Sequence, residues 1–96
     1  MPKAQFSKRA LSEIEDAWLW YESANTGLGD IFLRELFFTV TLIEKYPKRF
    51  RNTVDNFHEA LLKKFPYLIV YYQDADDLII NTVFHCKRHP FKKYKK

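Results

Sequence analysis

The sequence predicts an α+β domain in two layers, in which a helical hairpin packs on a small, largely antiparallel sheet. Two segments with apolar residues at helical spacing, about 8–24 and 30–46, are followed by three segments with strand patterns. Short connections join these three strands, which favours antiparallel pairing. The predicted order is strand, helix, helix, strand, strand, strand, with both helices covering one face of the sheet.

The length and composition indicate a single domain. The chain has 96 residues, of which 47% are hydrophobic and 18% aromatic, as is typical of a globular protein with one core. We assign residues 1–90 to this domain and expect residues 91–96 to form a basic, mobile tail. Residues 1–30 contain no apolar leader, and no uncharged apolar stretch is long enough to cross a bilayer. Cys86 is the only cysteine, so no internal disulfide can form. Together, these observations predict a cytoplasmic protein without contact to a membrane.

Charge is distributed unevenly along the chain. Residues 1–44 contain four Lys or Arg against seven Asp or Glu, a net charge of −3, whereas residues 45–96 contain twelve against five, a net charge of +7. The basic half predicts a polyanion or an acidic protein as a partner, although a net charge also serves solubility.

The first part of the chain predicts a short strand and a helix. Residues 3–6 form the strand, and Ser7 caps a helix over about residues 8–24. One face of this helix is apolar at helical spacing. Its residues are Ala10, Leu11, Ile14, Ala17, Trp18 and Tyr21. Gly27, in the polar break that follows, is expected to end the helix from the C′ position.

The second helix is apolar on two sides. It is expected over about residues 30–46, with Asp30 near its start. The main apolar face consists of Phe32, Leu33, Leu36, Val40 and Ile43. The opposite side carries Ile31, Phe38 and Leu42. We favour burial of this opposite side between the first helix and the sheet; the alternative is an exposed side that binds a partner.

Three strand patterns follow the second helix. Residues 57–65 alternate, residues 68–73 form a near-continuous apolar run, and residues 78–85 form the last strand. The first two strands are joined by the tight connection Phe65-Pro66-Tyr67, and the last two by a hairpin turn over residues 74–77.

The sequence lacks the motifs of several large classes of enzyme. The histidines and Cys86 do not have the spacing of a zinc site. The chain contains no GxxxxGKS/T or GxGxxG phosphate-binding motif and no serine nucleophile elbow. A nucleotide hydrolase or a dehydrogenase is therefore not predicted, and no cofactor or metal is expected.

A basic cluster predicted on the last strands is the remaining candidate for chemistry. It consists of Lys63, Lys64, His85, Lys87, Arg88 and His89. Such a group can hold a phosphate and stabilise charge in phosphoryl transfer, with His85 as an acid or base and Glu59 as a base if it points the same way. Taken singly, each residue has a simpler explanation that we favour: exposed lysines that discourage aggregation, and a strand-end histidine satisfied by its neighbours.

Four stretches of the chain stand in a distinctive order. Residues 27–36 (GLGDIFLREL) open the second helix, and Tyr46-Pro47 ends it. Residues 60–72 (ALLKKFPYLIVYY) span the next two strands, and residues 83–90 (VFHCKRHP) close the last one. In this order and spacing, which covers nearly the whole chain, the sequence resembles the RelE/ParE superfamily of toxins from type II toxin–antitoxin systems.

The resemblance implies the two-layer fold already predicted. It further implies a small cytoplasmic toxin of the kind that stabilises plasmids, and an antitoxin encoded beside it that neutralises the toxin. It also implies growth arrest through one of two targets. RelE-like members cut mRNA on the ribosome, whereas ParE-like members poison DNA gyrase and are not nucleases. Phe65-Pro66-Tyr67 and the ending His85-x-x-Arg88 are nearer to the ParE-like members, which favours gyrase.

The resemblance also assigns roles in the alternative, a metal-independent endoribonuclease. Arg88 and Lys64 would stabilise the phosphorane, and His85 or Tyr94 would move a proton. Lysine at position 64, where many relatives carry arginine, lacks the bidentate grip of arginine on phosphate, which weakens this alternative.

The remaining candidate residues are binding positions. Lys63, Lys87 and Tyr94 match positions that would hold the target, and Ile31, Phe38 and Leu42 are a candidate docking surface for the antitoxin. A third alternative is an inactive relative that binds only its antitoxin or nucleic acid.

Overall fold

The structure, a computed structural model, describes residues 3–87. Within them, two helices pack on a five-stranded sheet, which confirms the predicted α+β fold. The elements are β1 (Ala4–Phe6), α1 (Lys8–Ala24), α2 (Leu28–Lys45), β2 (Arg51–Asn52), β3 (Phe57–Leu61), β4 (Tyr67–Asp74) and β5 (Asp77–His85). The two-residue strand β2 was not predicted, because two exposed polar residues show no periodicity. The tail over residues 91–96 lies outside the described residues.

Helix α1 begins where the capping signal placed it. The Ser7 hydroxyl oxygen accepts a hydrogen bond from the Ala10 N–H at 2.9 Å and donates one to the Asn81 carbonyl oxygen at 2.7 Å. The cap therefore also ties the helix to β5. Glu13, six residues after Ser7, adds a second tie, since its Oε1 accepts hydrogen bonds from the Thr82 hydroxyl at 2.6 Å and the Val83 N–H at 3.0 Å.

The turn between the helices differs from the prediction at Gly27. Asn25 is the C-cap of α1, and Gly27 is instead the N-cap of α2, with a φ of 91°. A positive φ of this size favours glycine, because a Cβ would be strained there. The prediction of a C′ glycine was wrong by one residue, because the C′ position after Asn25 is Thr26. Helix α2 begins two residues earlier than expected, at Leu28.

The sheet has the strand order β1-β5-β4-β3-β2. Strands β3, β4 and β5 pair antiparallel, as the short connections predicted. Strand β1 pairs parallel with β5. Parallel pairing requires a long connection, which here consists of the two helices and strands β2 to β4.

Strand β3 is shorter than the predicted segment over residues 57–65, since it ends at Leu61. The Leu62 N–H donates to the Tyr67 carbonyl oxygen at 3.0 Å and closes the connection to β4. Proline has no N–H to continue a ladder, so Pro66 belongs to the connection. Lys63 and Lys64 consequently lie in a loop and not on a strand.

The core lies between the helices and the sheet. At one end it is aromatic, with the Phe32 ring centroid 5.3 Å from those of both Phe65 and Tyr67. The Tyr21 ring lies 4.9 Å from Phe65 in an edge contact. Aromatic contacts of this kind stabilise the core beyond the burial of apolar area. They lie at the end of the sheet from which the loop with Lys63 projects.

Candidate functional site

Four predicted site residues meet at one end of the sheet, which we call the basic sheet end: Lys63, Lys64, His85 and Lys87. The first two lie in the connection between β3 and β4, and the other two at the end of β5. Tyr67 pairs with His85 in the β4–β5 ladder, and the Cys86 N–H donates to the Pro66 carbonyl oxygen at 2.8 Å. These contacts bring the loop and the strand end side by side.

The loop is held in place by a glutamate of α2. Both carboxylate oxygens of Glu35 accept from the Lys64 backbone N–H, at 3.2 and 3.0 Å. The two lysine side chains are exposed. The backbone is thus anchored while the charges face solvent, an arrangement suited to binding an anionic or acidic surface.

His85 has a defined ring orientation. Its Nδ1 accepts a hydrogen bond from the Lys87 backbone N–H at 3.2 Å, so the neutral ring carries its proton on Nε2. The ring lies edge-on to Tyr67, with centroids 5.1 Å apart.

The other sequence candidates for chemistry divide into two groups. Arg88, His89 and Tyr94 lie outside the described residues. Glu59 is described and is 8% exposed, inside β3 and two residues before its end. Its burial separates it from the exposed lysines of the loop.

Helix α2 exposes part of its second apolar side, which we call the outer stripe and define as Ile31, Phe38 and Leu42. Ile31 is 44% and Phe38 62% exposed, whereas Leu42 is partly buried. The favoured expectation, burial of this side between α1 and the sheet, is therefore wrong for the first two residues. The main apolar face is buried as predicted, with Leu33 partly buried.

Glu35 joins the outer stripe to the basic sheet end and was missed at the level of sequence. It lies four residues after Ile31 and three before Phe38, so helical spacing places it on the same face. That spacing was visible in the sequence. Its bond to the Lys64 N–H was not, because 29 residues separate the two partners.

Within residues 3–87, no group of three or more His, Cys, Asp or Glu side chains could hold a metal ion. No helix in this part of the chain is long and apolar enough to cross a membrane.

The fold and the site together define a small α+β domain of the RelE/ParE kind, with a helical hairpin, an exposed apolar stripe and a basic sheet end. The family model described as the ParE toxin of the type II toxin–antitoxin system, parDE, matches residues 4–90. The chain belongs to this family.

A solved structure supports the fold. It is described as the chromosomal ParDE TA system from P. aeruginosa, and one of its chains matches with a TM-score of 0.80 at 10% sequence identity. The match covers 88% of this chain and 96% of that one. No curated protein sequence matches the chain significantly.

Family membership confirms two expectations from the sequence. The chain is a toxin of a type II toxin–antitoxin system, and its partner is a cognate antitoxin.

Proposed function

We propose that the chain arrests growth in the cytoplasm by inhibiting DNA gyrase, and that its antitoxin relieves this inhibition. The observation that carries the proposal is the match to the ParE family over residues 4–90. The Phe65-Pro66-Tyr67 segment and the His85-x-x-Arg88 ending support the same target, because they resemble the ParE-like branch.

The chemistry of the basic sheet end supports binding more than cleavage. Its described cations are the lysines at 63, 64 and 87, which act as point charges and lack the planar fork of arginine. His85 already uses Nδ1 in a hydrogen bond to the Lys87 N–H. Exposed lysines beside an anchored loop suit an acidic protein surface, where charge complementarity speeds association.

One observation favours the alternative, a RelE-like ribosome-dependent endoribonuclease. Lys64, His85 and Lys87 do come together at one end of the sheet, as a metal-independent site would need. In that mechanism Lys64 and Arg88 would stabilise the charge that develops on the phosphorane, and His85 or Tyr94 would move a proton.

Translating ribosomes distinguish the two activities. We expect no mRNA cleavage when the purified chain is added to them. Cleavage that disappears in Arg88→Ala would overturn the proposal, since losing one group that stabilises a transition state costs about 10²–10³ in rate. The Arg34→Ala variant is a matched control, because Arg34 is an exposed arginine on α2 and is not one of the candidate site residues.

Expression in growing cells tests toxicity itself. Expression of the chain alone should arrest growth, and co-expression of the antitoxin encoded beside it should restore growth. Normal growth at a verified level of folded chain would contradict an active toxin and favour the inactive relative.

The antitoxin is expected to be acidic and to lay an apolar segment on the outer stripe. Ile31 and Phe38 offer the exposed apolar area, and the nearby loop offers the side chains of Lys63 and Lys64. Glu35 connects the two regions through the Lys64 backbone. An amphipathic segment with acidic flanks would match both regions at once.

A further inference from the structure

A second basic surface lies at the C-terminal end of α2 and shares no residue with the basic sheet end. Residues 45–51 (KYPKRFR) carry four cations and no acid. We call Lys45, Lys48, Arg49 and Arg51 the basic loop. All four are exposed. The salt bridge found among residues 3–87 joins Arg9 to Glu13, so none of these four cations forms a salt bridge with another described residue.

The backbone of the basic loop is fixed by two side chains of the sheet. The Tyr71 hydroxyl donates to the Pro47 carbonyl oxygen at 2.6 Å. The His58 Nδ1 lies 3.0 Å from the Phe50 carbonyl oxygen and donates to it, since a carbonyl oxygen only accepts. Pro47 and Phe50 are partly buried. The residues between these two anchors are thus presented to solvent by a rigid backbone.

Arg49 is held by an aromatic ring. Its Cζ lies 4.4 Å from the centroid of the Tyr46 ring, and the Arg49 backbone N–H donates to the Tyr46 carbonyl oxygen at 3.0 Å. A cation–π contact engages the face of a guanidinium and leaves its N–H groups able to donate. Guanidinium N–H groups presented in this way match the oxygens of a phosphate.

We propose that the basic loop binds the phosphate backbone of a nucleic acid without reading its sequence. Protein interfaces need an apolar centre that is buried on association, and the one exposed large hydrophobic residue within residues 45–51 is Tyr46, at 46%. A phosphate backbone needs no such centre, because released counterions supply the affinity. The surface is independent of the toxin's target, so its failure would leave the proposed inhibition of gyrase untouched.

The test is a titration of the purified full-length chain with a labelled 20-base-pair DNA duplex and, separately, a labelled 20-nucleotide RNA strand. The loop variant combines Lys48→Gln, Arg49→Gln and Arg51→Gln. The control variant removes the same number of charges elsewhere, at one exposed cation before β1 and one each in α1 and α2, by Lys3→Gln, Lys8→Gln and Arg34→Gln. The lysines of residues 87–96 are unchanged in both variants, so their contribution cancels.

The salt dependence of binding gives the sharpest readout. Each lost phosphate contact makes the slope of log affinity against log salt shallower by ~0.9 for a duplex. Because the loop variant lacks all three of the replaced cations, the wild type should lose ~40-fold more affinity than the loop variant when salt rises from about 50 to 200 mM. For single-stranded RNA, with ~0.7 per contact, the corresponding difference is ~20-fold. At one fixed salt concentration, the nucleic acid for which the loop variant loses more affinity is the one that the loop prefers.

Two results would overturn the proposal. One is an equal change in slope for the loop and control variants, which would mean that only the total charge matters. The other is unchanged nucleic-acid binding by the loop variant together with weakened binding of the antitoxin, which would assign the loop to an acidic protein. If the loop variant fails to fold by circular dichroism, the pair Lys48→Gln and Arg51→Gln keeps the cation–π contact and should still lower the duplex slope by ~1.8.

Discussion

The carboxylate of Glu22 replaces the capping side chain that Gly27 lacks. Its Oε2 accepts a hydrogen bond from the Gly27 N–H at 2.9 Å, and its Oε1 accepts one from the Gly29 N–H at 3.0 Å. Gly27 is the N-cap of α2 and has no side-chain cap. An acid of α1 thereby satisfies two N–H groups at the start of α2 and favourably opposes the positive end of its dipole.

Replacing Glu22 with alanine should destabilise the helical hairpin. Two hydrogen bonds to a charged acceptor are lost, and we expect the free energy of unfolding to fall by about 1–3 kcal/mol. Glu15→Ala is the matched control, because Glu15 is an exposed acid of the same helix. Urea unfolding of both variants measures the difference, and equal midpoints would contradict the capping role.

The close approach of the two helices at Gly29 leads to a second prediction. A Cβ on this residue would lie 2.8 Å from the Trp18 side chain and 2.9 Å from Glu22 Oε1. Gly29→Ala should therefore lower stability by about 1–2 kcal/mol, since crowding outweighs the gain in helix propensity. Higher stability in thermal or urea unfolding would show that Trp18 can move aside at little cost, although its Nε1–H donates to Asp30 at 3.0 Å.

Tyr71 should make stability fall at alkaline pH. Burial raises the pKa of its phenol well above the ordinary range. The folded state therefore keeps this proton at pH values at which the unfolded chain, with a pKa of ~10, has lost it. Stability from this group is complete below pH ~10 and declines as the pH rises above it, by at most ~1.4 kcal/mol per pH unit.

The Tyr71→Phe variant isolates this effect. At neutral pH it should be less stable than the wild type by about 1–2 kcal/mol, because the Pro47 carbonyl oxygen loses its donor. The gap should narrow as the pH is raised from about 9 to 11.5 in denaturant titrations. A constant gap over this range would mean that the phenol titrates equally in the folded and unfolded chain.

Much of the fold followed from local patterns in the sequence. The Ser7 cap, the main face of α2 and the antiparallel order of the last three strands were all read from spacing and turn residues. Gly27 was assigned to the wrong helix because glycine is much commoner at C′ than at the N-cap, so the sequence favoured the end of α1 over the start of α2. Its partner Glu22 looked like an ordinary surface acid of α1.

The candidate site was harder to predict because long-range contacts build it. Lys63 and Lys64 were placed on a strand, since the alternating pattern continues past Leu61, and only the Leu62–Tyr67 hydrogen bond shows where the strand ends. The exposure of Phe38 depends on what covers α2, which periodicity does not reveal. The basic loop was visible as four cations in residues 45–51, but its anchoring by Tyr71 was not.

The outer stripe can be tested with an exposed aromatic residue as its control. Phe38→Glu should weaken binding of the antitoxin by roughly 30-fold or more, since losing an interface anchor costs about 2 kcal/mol or more. Trp20→Glu introduces the same charge on α1 at a residue with similar exposure, 64% against 62%, and should leave the affinity near that of the wild type. Calorimetric titration of folded variants measures both, and unchanged affinity in Phe38→Glu would remove the outer stripe from the interface.

The supercoiling of relaxed plasmid by purified DNA gyrase measures the proposed inhibition itself. We expect the wild-type chain to lower supercoiling in proportion to its concentration and added antitoxin to restore it. Full supercoiling in the presence of folded chain that arrests growth in cells would contradict inhibition of gyrase.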